Sequence, residues 1–209
     1  MKYGESTFDI IYLVFAITMG CLILKKRKDD IGKLMGYAVL VLGCGDAFHL
    51  IPRVLNYFVN FDFTALLGFG KLVTSITMTV FYVLMYELWL KLYSYDKKLR
   101  PLVYALCAVR IVLCLFPQNN WFSNESSVLW GVLRSIPFII LGVLIIVLYY
   151  KKKDSIANFK NVWLLVALSF LFYIPVAFFA SAVPMLGMLM LPKTVCYMIL
   201  IWTFWKQAF

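Results

Sequence analysis

Asp46, His49 and Arg53 stand at positions i, i+3 and i+7 of one apolar run, a spacing that stacks all three on a single helix face. An acid, an imidazole and a guanidinium in that register can brace one another as a purely structural unit. They can also move a proton or hold a substrate, because histidine is the side chain whose ordinary pKa lies near neutrality. Lys71, Arg110, Arg134 and Lys193 also interrupt apolar runs, as does Glu87 near the inner end of its run, where snorkelling accounts for it. Ionisable groups inside membrane spans are costly and usually functional. Four cations facing Asp46 as the one deep acid leave positive charge in excess, and stranded charges in a low dielectric are expensive. The expected chemistry is an aqueous cavity that attracts an anion, with Asp46, His49, Arg53, Lys71, Arg110, Arg134 and Lys193 as its binding residues. In the competing reading Lys71 and Lys193 snorkel separately to the interface. Arg110 resists that reading, since it lies about 15 Å beyond Arg100 along a helix.

These residues need elements to position them, and the elements are membrane helices. The chain has 209 residues, 64% of them hydrophobic, and a mean hydropathy of +0.89. That lies outside the range of soluble domains. Seven segments are long enough to read as spans: 8–24, 33–53, 65–92, 101–117, 127–150, 161–182 and 185–205. Fourteen of the twenty Lys and Arg residues cluster at Lys25–Lys33, Lys91–Arg100, Lys151–Lys160 and Lys206, after helices one, three, five and seven. Cytoplasmic loops collect Lys and Arg, so the N-terminus is expected outside and the C-terminus inside, in a multi-pass protein of the plasma membrane. The same placement explains the net charge of +10 without nucleic acid: the excess lies in short loops beside anionic lipid. The N-terminus, with one Lys, two early acids (Glu5 and Asp9) and no small-residue cleavage site, reads as the first span and not as a cleavable signal.

The chain forms a single transmembrane domain, residues 1–209, with a weak internal repeat. The basic stretch before Asp29 recurs before Asp154, Ile51-Pro52 recurs as Ile174-Pro175, and Lys71-Leu72-Val73 matches Lys193-Thr194-Val195. The offsets are 125, 123 and 122 residues. The expected organisation is a repeat over 8–92, a linker helix over 101–117 and a second repeat over 127–205, the two copies parallel. Pro52, Pro137, Pro175 and Pro192 are expected to interrupt helices two, five, six and seven. Gly36, Gly43 and Gly45 would let helix two approach its neighbours closely. The sequon Asn124-Glu125-Ser126 falls in a short loop beside the bilayer and reads as a chance occurrence.

Some classes are excluded by what the chain lacks. With one histidine and five cysteines in no zinc or disulfide spacing, no metal site and no cofactor is expected. The run Gly43-Cys44-Gly45-Asp46-Ala47-Phe48-His49-Leu50-Ile51-Pro52 resembles the Gly-Asp-x-x-x-Leu-x-Pro signature of the YhhN-like lysoplasmalogenases. These are polytopic membrane enzymes of similar length that hydrolyse the vinyl-ether bond of lysoplasmalogens. The resemblance implies Asp46, with His49, as catalytic residues acting on a lysolipid. The layout of three helices, one linker and three helices resembles that of the SWEET and PQ-loop transporters and the KDEL receptor. The leading expectation is a small carrier or ligand-binding protein for an anionic or amphiphilic small molecule, in contact with membrane lipid and open to homo-oligomerisation. The alternatives are a lysolipid hydrolase and, more distantly, a seven-helix sensor or receptor with Lys193 in its last helix.

Overall fold

Lipid offers the backbone no hydrogen-bond partner, so an apolar run that enters a bilayer must satisfy its peptide groups internally. The structure, a computed structural model, describes residues 2–94, 97–123, 127–179 and 183–209, and among these there are helices and no strands. The helices are α1 (Lys2–Lys26), α2 (Asp30–Phe58), α3 (Thr64–Tyr93), α4 (Arg100–Leu115), α5 (Val128–Lys151), α6 (Val162–Phe179) and α7 (Met190–Ala208). Short 3-10 turns precede α4 and α7, follow α4, and lead into α6. The sequon at residues 124–126 lies outside the described residues.

Among the described residues six helices are long and apolar enough to cross a membrane. The exception is α4, whose 16 residues cover about 24 Å, short of a hydrocarbon core of about 30 Å. The bundle's surface agrees with a membrane setting: Val14, Val112, Leu129, Val143 and Leu171 are each more than half exposed. An apolar belt of that extent is not tolerated against water. The chain is an all-α membrane protein.

Helix ends follow local chemistry. Asp29 caps α2 by accepting from the Gly32 N–H at 3.1 Å, and the Arg27 guanidinium grips the same carboxylate at 2.8 and 3.0 Å. Those bonds and that charge hold the Asp29 carboxyl below the usual carboxylate range. Arg27 also donates to the Gln207 carbonyl at 2.9 Å, tying the α1–α2 link to the end of α7. Pro52, Pro137 and Pro175 lie inside helices that continue through them. Pro192 corrects an expectation. It does not interrupt the seventh helix but stands in its first turn, where no intrahelical N–H bond is lost.

Each helix packs against its neighbours in chain order, and α7 closes the ring on α1; α3 also meets α5 behind the short α4. The glycines of α2 decide two of these contacts. Gly36 and Gly43 face Leu24 and Ala16 of α1, while Gly45 faces Thr77 of α3. A Cβ on Gly70 of α3 would run into the backbone of Phe48 and His49. The α2–α3 contact is the most extensive in the bundle, and Thr74 reinforces it by donating to the Gly45 carbonyl at 3.0 Å.

The interior is divided by level. Towards the basic clusters it is solid, filled by Ile23, Met35, Tyr86, Trp89, Tyr149 and Phe204 among others. Towards the opposite end the facing side chains are polar and enclose a cavity. Replacing Gly70 with Ala forces two backbones apart, so Gly70→Ala is expected to lower stability by about 1–3 kcal/mol. Gly4→Ala, where nothing lies within 4 Å, should change it by less than about 0.5 kcal/mol. Thermal unfolding of both variants in detergent measures the difference.

Candidate functional site

The cavity has a volume of about 540 Å³, and every helix contributes to its wall. All seven residues expected from the sequence to bind a ligand line it: Asp46, His49 and Arg53 from α2, Lys71 from α3, Arg110 from α4, Arg134 from α5 and Lys193 from α7. Residues more than a hundred positions apart are thereby brought to one space.

Arg110 is the most constrained of them. It is 4% exposed, and its guanidinium lies 3.4 Å from the centre of the Phe138 ring. Stacking on a ring face is worth about 2 kcal/mol when the cation is desolvated, and it turns the N–H edges sideways. Tyr173 and Cys114 are its polar neighbours, yet Nε and Nη1 are buried without a hydrogen-bond partner. Arg134 is held differently. Its Nη1 donates to Asn119 Oδ1 at 2.6 Å, and its guanidinium sits 4.3 Å from the centre of the Trp121 indole. Asn119 is fixed in turn by donating its amide to the Leu113 and Phe116 carbonyls, both at 2.8 Å, which terminates α4. Lys193 does not snorkel to an interface. Its ammonium stands over the rings of Tyr173 and Tyr197, 5.3 and 5.5 Å from their centres.

The brace that Asp46, His49 and Arg53 could have formed, the structural alternative for this face, is absent. Asp46 accepts instead from the Tyr12 hydroxyl of α1 at 2.7 Å. Arg53 pairs with Glu5, also of α1, whose carboxylate takes a second bond from the Tyr57 hydroxyl at 2.9 Å. His49 meets the backbone of Leu67, and its Nδ1 is buried without a partner. The reason is geometric: α1 lies against α2 and supplies nearer partners than the residues one and two turns along the same helix. Glu87 lies apart from the cavity. Arg100 grips it at 2.8 and 2.9 Å, and the Tyr104 hydroxyl adds a third bond.

Asp46 is also not the only acid. Asp9 of α1, 3% exposed, lines the same cavity, within electrostatic reach of Asp46, and its Oδ2 is buried without a partner. Sequence reading counted Asp9 among the early acids at the start of the span 8–24 and not among the cavity residues; in the structure it lies about two turns inside a 25-residue helix. Tyr12, Asn119, Trp121 and Tyr173 were missed for a different reason. Each acts only by touching a residue far away in the chain. Beneath the cavity a layer of hydroxyls marks its floor: Tyr82 bonds Tyr197 at 3.1 Å and Ser169 at 3.4 Å, and Ser135 bonds Tyr173 at 3.1 Å. Among the described residues no group of His, Cys, Asp and Glu could hold a metal ion.

No protein-family model matches the chain, and no curated protein or solved structure matches it. The chemistry of the cavity therefore rests on its own residues. Removing the Asn119 side chain leaves the α4 carbonyls and Arg134 without their partner. Asn119→Ala is expected to cost about 1–3 kcal/mol of stability, read as a lower unfolding temperature in detergent.

Proposed function

We propose that this protein binds, and as a carrier moves, an anionic amphiphilic small molecule through the basic cavity. The observation that carries the reading is Arg110: a cation 4% exposed, facing the cavity, with two of its three nitrogens lacking a partner. An anionic group is the ligand that would complete it. The apolar part of the wall, including Leu50, Met78, Val176 and Leu191, suits an aliphatic portion. A volume of about 540 Å³ is of the size that small-molecule sites have.

Orientation follows from the loops. The basic clusters lie at the end of the bundle away from the cavity, which supports an N-terminus outside, a C-terminus inside and a cavity open to the exterior. In this reading α4 crosses with the help of the 3-10 turns at Lys97–Leu99 and Pro117–Asn119, which lengthen it at both ends, and joins parallel repeats α1–α3 and α5–α7. A C-terminal green fluorescent protein fusion should fluoresce while a C-terminal alkaline phosphatase fusion stays inactive. The reverse pattern rejects the orientation.

The ligand class is tested with dodecanoate on the purified protein in maltoside. It should bind more tightly than dodecyltrimethylammonium, and Arg110→Gln should weaken it about tenfold. Preferential binding of the cation sinks the proposal. Mass spectrometry of what co-purifies identifies the natural occupant.

A second reading, a lysolipid hydrolase, is favoured by one observation: Asp9 and Asp46 share the cavity, and paired carboxylates can serve as acid and base. Asp46→Asn separates the two. In a binding protein it removes a negative charge from the wall, so dodecanoate should bind roughly three- to tenfold tighter. In a hydrolase it should abolish lysoplasmalogen cleavage while the protein still folds.

A further inference from the structure

The balance of charge in the cavity says more about the ligand than its sign. Five cations line it: Arg53, Lys71, Arg110, Arg134 and Lys193. Among the described residues, Asp9 and Asp46 line it with them, and Glu5 pairs with Arg53 at its edge. Among the described residues two positive charges are left uncompensated.

Their location is specific. Arg53 is taken by Glu5, and Lys193 lies within electrostatic reach of Asp46. What remains is Arg110, Arg134 and Lys71, contributed by α4, α5 and α3, with Asp9 as the one acid left to set against these three. Lys71 and Arg134 are near enough to repel one another, as are Arg134 and Arg110. The carboxylates come from other helices, α1 and α2. Arg134 is already bonded to Asn119 Oδ1, a neutral acceptor that leaves its charge uncancelled. Arg110 is more than nine-tenths buried, and its Nε and Nη1 are unsatisfied. Guanidinium groups present planar arrays of donors that match tetrahedral oxyanions better than a point charge does. The Ser127 hydroxyl, which accepts from the Trp130 N–H, lines the same cavity and can donate to a further oxygen, whereas those of Ser75 and Ser135 already donate to the Lys71 and Gly131 carbonyls.

We infer that the ligand's head is a phosphate monoester carrying two negative charges, seated between Arg110, Arg134 and Lys71. This rests on the reading of the cavity as an anion site. It narrows that site to a dianion in preference to a carboxylate, a phosphodiester or a zwitterionic headgroup. A single negative charge leaves the cluster in net repulsion, and a headgroup carrying its own ammonium brings a cation into a cavity that already holds an excess of them. The phosphomonoester can belong to a lipid or to a water-soluble metabolite, since the cluster reads the phosphoryl group and not what it is attached to.

The test uses ligands that share one chain and one phosphorus atom and differ in charge. Binding of dodecyl phosphate, methyl dodecyl phosphate and dodecylphosphocholine to the purified full chain in maltoside is measured below their micellar concentrations. Dodecyl phosphate should bind at least about tenfold more tightly than its methyl ester, with dodecylphosphocholine weakest. Lys71→Gln, at an exposed position, should reduce this preference to within roughly threefold, and Arg110→Gln should do the same. If Arg110→Gln does not fold, the wild-type preference and Lys71→Gln still decide. Competition by sn-glycerol 3-phosphate at similar concentration assigns the site to a soluble phosphomonoester, and its failure to compete assigns the site to a lipid; both support the inference. Equal binding of monoester and methyl ester overturns the dianion inference while leaving the anion site standing. Binding of dodecanoate but of neither phosphate has the same meaning. If no anionic probe binds, the underlying reading fails as well.

Discussion

A guanidinium sealed inside an apolar helical bundle is the constraint around which the rest of this structure is arranged. Hydrocarbon cannot hold Arg110, and water reaches only 4% of it. The bundle therefore surrounds it with a ring face from Phe138, the hydroxyl of Tyr173 and the thiol of Cys114, and opens a cavity on its remaining side. The short α4 makes sense in this light. Its buried residues are Val103, Arg110 and Cys114, so the helix meets the interior along one narrow stripe and delivers one charge.

The opposite requirements of packing and of charge are met by separating them along the bundle. Towards the basic clusters, aromatic and aliphatic side chains from α1, α2, α3, α5, α6 and α7 fill the interior, and Trp89 and Tyr149 spend their polar atoms on backbone carbonyls of the facing helices. Towards the other end the same helices carry hydroxyls and charges. The floor between the two levels is made of Tyr12, Tyr82, Phe138, Tyr173 and Tyr197, residues with an apolar body and, in four of the five, a polar tip. Such a floor fixes the rings on which Arg110 and Lys193 rest, so that both charges are held in set positions.

The charges of the wall are also divided between helices. Asp9, Asp46 and Glu5 come from α1 and α2, which the glycine contacts draw together; the uncompensated cations come from α3, α4 and α5. A site of this kind sets a pair of carboxylates and a group of cations around one space. That geometry is common ground for a carrier and for a hydrolase, and the two differ in whether the carboxylates exchange a proton with a bound molecule or only balance charge.

Composition and spacing were sufficient for part of this. Apolar runs of about twenty residues can only be helices in lipid, so the elements and the membrane setting were legible from the chain. Arg110, Arg134, Lys71 and Lys193 stood out as candidates because a charge in such a run is costly wherever the run packs. The close approach of α2 was legible in Gly36, Gly43 and Gly45, because a missing Cβ is a local property. Pairing was not legible. Spacing along α2 put Asp46, His49 and Arg53 on one face and allowed a brace among them, but α1 took two of the three, since partners across a helix contact compete with those on the same helix. Asp9 stood at the very start of the expected span 8–24, but α1 begins at Lys2 and carries it into the cavity. Asn119 looked like a loop residue until it was found holding both the end of α4 and Arg134. The sequence by itself determined which residues had to escape lipid; only the tertiary structure decided which of them would face one another, because that depends on how helices distant in the chain come to lie side by side.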